Sequence, residues 1–454
     1  MFSCCTIAGN ASKAGVIAAD TKGPKKRKAG QSRRGGLTDR EAGATPTDLL
    51  DAAWDGSLSY VQRFLRDGQP VDETDDDGVT PLLVAAQEGH SEVVKILVEV
   101  GKSQAIDSAD VEGFTPLIRA AMGGHSQVAE YLIKQGCKTV DTPNQEGNTP
   151  LLCAVKGGHV QVVKMLVVDA KSKAVDSPNQ DGDSPLTVVA FTGNAEIAKL
   201  LLVEAKPRSV DKGDNDGWTP MLIAASAGNA EVVKLLLNEG KAQTADTPKR
   251  DGSTPLLLAA GKGHGKVVQT LLATGKIQSV DSANSSGETP VLVAAEQGRV
   301  EVLRALITTG QARSVDKPKP DGSTPLYLAA SEGHYETVKL LLTLGQSRAV
   351  DTPTREGSTP LLAASQNGYA EVVKLLLTDG GSRALNQKAP DGRTALISAA
   401  RFGHAKVVQV LMEHGADRTA VVTGSDLIES DGTAAQVAKA NEYIEIAELL
   451  EAGG

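Results

Sequence analysis

A Gly followed two residues later by Thr-Pro, or a close variant of it, recurs ten times in this chain, with the glycines at Gly78, Gly113, Gly147, Gly182, Gly217, Gly252, Gly287, Gly322, Gly357 and Gly392. The spacing is 34 or 35 residues throughout. A fixed period of that length implies a stack of small similar units, each unable to bury its apolar face alone. Composition fits such a stack: 40% of the 454 residues are hydrophobic but only 3% are aromatic, so thin layers of Ala, Val and Leu must fill the core.

One unit, residues 78–112, shows the local logic. Thr80 can cap a helix, and Pro81 suits the first helical position because its missing N–H would have no partner there. The helix runs through Leu82, Leu83, Ala85 and Ala86 and stops at Gly89. Val93, Val94, Ile96, Leu97 and Val100 then recur at helical spacing, predicting a second, outer helix that ends at Gly101. About a dozen residues without helical pattern, including Ile106, Asp107 and Asp110, lead to the next Gly and read as a hairpin finger.

Two helices and a finger per period, with TPLLVAA, TPLIRAA, TPLLCAV, TPMLIAA, TPLLLAA, TPVLVAA and TPLYLAA in successive units, resemble the ankyrin repeat and its T-P-L-H-x-A signature over about nine tenths of the chain. The resemblance implies an all-α repeat fold, an ankyrin-repeat solenoid of helix-turn-helix units joined by β-hairpin-like fingers. The signature His is replaced in every unit, and each finger reads as one or two residues longer than the usual 33-residue repeat allows, which predicts less rigid fingers. Ser184, Ala395 and Ala434 break the Thr-Pro pattern, and Ala170 and Ala205 replace the helix-ending Gly. Residues 45–77 read as a degenerate N-terminal capping repeat, 78–431 as ten ankyrin-type repeats and 432–454 as a truncated C-terminal cap, since end units must shield the apolar face that internal units bury.

Residues 1–44 hold nine Lys/Arg against three Asp/Glu, a net of +6; the remainder holds 38 against 53, a net of −15. The first segment lacks the large apolar groups needed to offset ordering and reads as a disordered basic tail. The acidic array disfavours nucleic acid as its ligand and favours protein partners with basic or neutral surfaces. Within the tail, Pro24-Lys25-Lys26-Arg27-Lys28 resembles a short nuclear-import signal; the alternative is that this cluster holds an anionic membrane surface, more so if Cys4 and Cys5 are acylated, and membrane contact is expected only through the tail. Cysteine usage predicts an intracellular setting, nucleus or cytoplasm, with no disulfide framework.

Nothing in the sequence suggests catalysis, a cofactor, a metal or a small-molecule substrate. His90, His125, His159, His264, His334 and His404 follow the Gly between the two helices and read as turn residues, since units stacked roughly 8–10 Å apart cannot bring one His each to a single zinc. Cys153 sits among apolar neighbours, where a thiol is an inert hydrophobe. No phosphate-binding loop of the G-x-x-x-x-G-K-[ST] type occurs.

In ankyrin-like proteins the partner lies against the fingers and first helices at positions that vary between units. The variable positions here place Phe114, Met122, Phe191 and Trp218 in one group, and Arg393, Arg401 and Phe402 in a second. Large rings expected near solvent in an aromatic-poor chain suggest interface anchors; the alternative is that they fill gaps between units. The run Asp72, Glu73, Asp75, Asp76, Asp77 either attracts a basic partner or serves as a solubilising rim. The reading is a non-catalytic scaffold or adaptor; its rival is a nuclear chromatin- or nucleic-acid-associated factor using the basic tail.

Overall fold

The computed structural model describes residues 45–208, 210–275, 277–422 and 432–452. The tail, with Cys4, Cys5, Lys25, Lys26, Arg27 and Lys28, lies outside the described residues. Among the described residues twelve helix pairs follow one another, and the only strands are Val421–Val422 and Gly432–Thr433, which pair antiparallel. The chain divides into two compact units, one reaching to Pro220 with Asn238–Lys241, the other comprising Met221–Leu237 and the residues from Ala242 onward.

Within the N-terminal unit, first helices run Pro81–Glu88, Pro116–Gly123, Pro150–Lys156 and Pro185–Thr192. Each begins as the sequence predicts: Thr80 accepts from Leu83 N at 3.1 Å, Thr115 from Ile118 N at 3.3 Å and Thr149 from Leu152 N at 3.2 Å. Ser184 caps as well, and its own N–H donates to Thr187 Oγ1, so the departure from Thr-Pro is absorbed by a capping box. The C-terminal unit repeats the pattern, and Thr394 caps its helix with Ala395 in place of Pro. Ala85, Ala86, Ala120 and Ala121 are fully buried, which lets neighbouring first helices approach to packing distance. Leu117, Leu132 and Leu151, also fully buried, each contribute roughly 1.5–3 kcal/mol of burial.

The second helices end differently from the first. Gly89 is left-handed at φ 78, as the sequence implies, but Gly101 is not; the left-handed residue is Lys102 at φ 58. Gly101 is needed for space, because a Cβ there would lie 2.7 Å from Val71 Cγ2 and 2.8 Å from Leu97 O. The same carbonyl contact recurs at Gly310, Gly345 and Gly380. Where Ala170 and Ala205 replace this Gly, the outer helix closes in a π turn, Met165–Asp169 and Leu200–Ala205, whose wider ring accommodates the methyl. Lys171, Lys206, Lys241, Gln311 and Gln346 share the strained conformation of Lys102. A left-handed L-residue costs roughly 1–2 kcal/mol, and glycine gives back part of that through unfolded-state entropy. Lys102→Gly is therefore expected to stabilise the fold by about 0.5 kcal/mol, seen as a higher urea midpoint.

The extra one or two residues per unit do not lengthen the fingers. From Asp72 to Gly78 and from Asp107 to Gly113 the count is the same; the addition lies before the Asp, in Lys102-Ser103-Gln104. A short 3-10 turn, Ala105–Asp107, follows, in a stretch the sequence left without helical pattern. The insertion is clamped by the Asp of the preceding repeat: Asp72 accepts from the Gln104 N–H at 2.8 Å, and Asp141 from the Ser172 hydroxyl at 2.5 Å. Asp107, Asp281, Asp316 and Asp351 act in the same way on their following repeats. Fingers are joined too, with Val111 N–H on Asp77 O at 2.9 Å and Gln145 N–H on Glu112 O at 3.0 Å. The expected looseness of the fingers is thus countered by ties from repeat to repeat.

Candidate functional site

Each finger of the N-terminal unit turns on one Asp or Asn. Asp110 Oδ1 accepts from Glu112 N and Phe114 N at 3.0 and 2.8 Å, Asn144 from Glu146 N and Asn148 N at 3.1 and 2.9 Å, and Asp214 from Asp216 N and Trp218 N at 3.0 and 2.9 Å. An Asx side chain bonded to backbone two and four residues on fixes the tight turn, and with it the direction in which residues 114, 148 and 218 leave the finger. Asp75 does the same for Val79, and burial, reinforced by neighbouring Asp77 and Asp76, pushes its carboxyl above the usual range against the pull of its two N–H donors. Of the acidic first-finger run, then, Asp72 and Asp75 are structural, while Glu73, Asp76 and Asp77 are exposed.

Phe114, Met122, Phe191 and Trp218 all belong to this unit, and all four are half-buried. Phe114 is held from beneath: the Arg119 guanidinium carbon lies 3.8 Å from the ring centre, and Nη2 donates to Asp110 Oδ2 at 2.7 Å. Both Arg119 and Asp110 are buried, at 8% exposure each. One carboxylate therefore shapes the finger with one oxygen and orients the cation under the ring with the other. The next two repeats do without this pair, having Asn144 with Cys153 and Asn179 with Val188 at the matching positions.

The second group, Arg393, Arg401 and Phe402, lies in the C-terminal unit. Phe402 is 40% exposed, stacks on His404 at 6.5 Å between ring centres, and has the Arg401 guanidinium 5.3 Å from its ring. Arg393 is bound to Asp391 and to Gln366 Oε1 at 3.0 Å. Some finger charges of this unit are paired, Lys249 with Asp251 at 2.9 Å and Lys319 with the first-helix residue Glu296 at 3.2 Å.

The turn histidines do more than turn the chain. Nε2 of His90, His125, His159, His264, His334 and His404 lies 2.8–3.1 Å from a carbonyl of the preceding repeat, on Trp54, Gln87, Met122, Ser226, Glu296 and Gln366 respectively. Their rings cover the preceding repeat's glycine, so the Gly and the His are one device split between units. Cys137 and Cys153 are buried thiols outside any disulfide, and burial pushes Cys137 up to about 11. Neither is expected to alkylate at pH 8 in the folded chain, whereas both react in guanidinium; mass spectrometry of the labelled peptides checks this.

Among the described residues, no helix is long and apolar enough to cross a membrane. The sequence model of ankyrin repeats (3 copies) matches residues 49–142, 138–211, 205–281, 277–352 and 346–422. The chain belongs to the ankyrin-repeat family, whose members generally mediate protein–protein interaction. A stretch of 58 residues is 45% identical to part of the mitochondrial liver isoform of glutaminase from Mus musculus, and 43% identical to that of Rattus norvegicus, covering 13% of this chain. The chain spans about a tenth of the length of these curated relatives, the match covering 10% of each.

Proposed function

We propose that this chain is a non-catalytic scaffold that binds a protein segment of basic or neutral character on the fingers and first helices of its N-terminal unit, with Phe114, Met122, Phe191 and Trp218 as apolar contacts. The observation that carries the reading is the buried Asp110–Arg119 pair beneath Phe114. Burying two charges costs several kcal/mol in desolvation, and the neighbouring repeats stack without such a pair. Its use in the repeat that bears Phe114 is explained if the ring must be presented in one fixed orientation, because an anchor held in place before binding loses less entropy on association.

The test compares binding partners captured by the intact protein and by Phe114→Ala/Phe191→Ala/Trp218→Ala, with circular dichroism and melting measured on both. Loss of a specific partner from a variant that remains folded supports the reading. Retention of every partner assigns the rings to packing between repeats.

A further inference from the structure

The position before each finger Gly in the N-terminal unit carries a carboxylate: Asp77, Glu112, Glu146, Asp181 and Asp216, all exposed. They form a row, because the main chains of the first four tips are bonded in register and Asn215 Nδ2 ties the fifth by donating to Gln180 O at 3.2 Å. Val111 N reaches Asp77 O, Gln145 N reaches Glu112 O, and Gln180 N reaches Glu146 O, each at 2.9–3.0 Å. One repeat step is roughly 8–10 Å, so the row presents a negative charge at about that interval. No described cation pairs with Asp77, Glu112 or Asp181, whereas Asp251 and Asp391 at the same position in the C-terminal unit pair with Lys249 and Arg393. Phe114, Phe191 and Trp218 lie on the same fingers and first helices, so the row borders a partly apolar face.

The chain contains a segment with the complementary period. Lys22, Lys25, Lys28, Arg34 and Arg40 all fall on one three-residue register, and they account for five of the nine cations in residues 1–44. An extended chain with three residues per turn rises about 9.3 Å per turn and presents every third side chain on one side, which matches the step of the carboxylate row. Nine residues after Arg40 the chain is already tied to the array: Leu49 N–H donates to Gln69 Oε1 at 2.9 Å, in the helix pair before the first of these fingers. Five finger positions span roughly 40 Å, and the 19 residues from Lys22 to Arg40 reach at most about 60 Å when extended.

We propose that the acidic fingertip row is occupied by the chain's own residues 22–40 until a partner displaces them. This rests on the preceding reading, that a partner binds the same face. The tail then acts as an intramolecular competitor: it covers Lys25–Lys28 when the face is empty and releases them when a basic partner takes its place. The array and the tail become two halves of one switch.

The full-length chain is digested briefly with trypsin at low ionic strength beside the Asp77→Asn/Glu112→Gln/Glu146→Gln/Asp181→Asn variant, and cleavage after Lys22, Lys25, Lys28, Arg34 and Arg40 is followed by mass spectrometry. At least threefold slower cleavage in the native chain, with the difference lost in 0.5 M salt, is the expected result. Equal rates in the two proteins overturn the proposal. In parallel, fluorescent nona-arginine is titrated into the native chain and into Lys22→Gln/Lys25→Gln/Lys28→Gln/Arg34→Gln/Arg40→Gln. Tighter binding by the second, roughly tenfold, identifies the tail as the competitor; equal binding rejects it. Failure of the wider reading looks different, because it appears as partner capture that is indifferent to the aromatic substitutions.

Discussion

Arg119→Ala loses about 3 kcal/mol of stability, because Asp110 stays buried with its charge while the cation that compensated it is gone. The two N–H donors from Glu112 and Phe114 remain and keep the loss at the lower end for a broken buried pair. The double variant Asp110→Asn/Arg119→Val regains most of it, since Asn with a small apolar residue is what the repeats at Asn144/Cys153 and Asn179/Val188 already use. Urea unfolding of the three proteins gives the comparison. In the double variant Phe114 has lost its support, so partner affinity is expected to fall while stability is recovered. That separation distinguishes a pair kept for recognition from one kept for the fold.

Gly124→Ala loses about 3 kcal/mol by two routes that add. The residue sits at φ 72, where a side chain costs roughly 1–2 kcal/mol. A Cβ there would also lie 2.4 Å from His159 Nδ1, so the ring must move and give up its contact with Met122 O. Gly136→Ala is the control, because Gly136 is left-handed at φ 81 with nothing within 4 Å of the added carbon. It is expected to lose only the conformational part. A similar loss in both would mean that the histidine contact between repeats contributes nothing.

Helix starts, repeat boundaries and the alanine-rich core were legible because each follows from residues close in sequence: a Thr before a Pro, a Gly eleven residues after the finger Gly, apolar residues at helical spacing. The ties between repeats were harder to see, since each joins residues about 31 to 38 apart. The sequence does carry one signal of them: an Asp or Asn stands six residues before every finger Gly, from Asp72 to Asn386, far more regularly than a surface acid would. The role of Gly101 was hidden for another reason. Periodicity locates a helix end but does not say whether a glycine there supplies a left-handed turn or an absent methyl.

The candidate site was legible in part. Its residues could be named from their rarity and their variable positions, and Phe114, Met122, Phe191 and Trp218 fall in one compact unit. The sequence could not reveal Arg119 as the support beneath Phe114, because a lone Arg in a first helix, nine residues from its Asp, has no pattern to announce it. Nor did spacing show that Arg393 is already bound to Asp391 and Gln366, which leaves Phe402 as the more available member of the second group.

Hydrogen–deuterium exchange of the full-length protein, alone and with a captured partner at saturating concentration, tests the central claim most directly. The account predicts new protection in the fingers 110–114, 144–148, 179–183 and 214–218 and at the ends of the first helices near Met122 and Phe191, with the second helices unchanged. Protection confined to the second helices or to connectors such as Lys102–Gln104 would place the partner on another surface and contradict it.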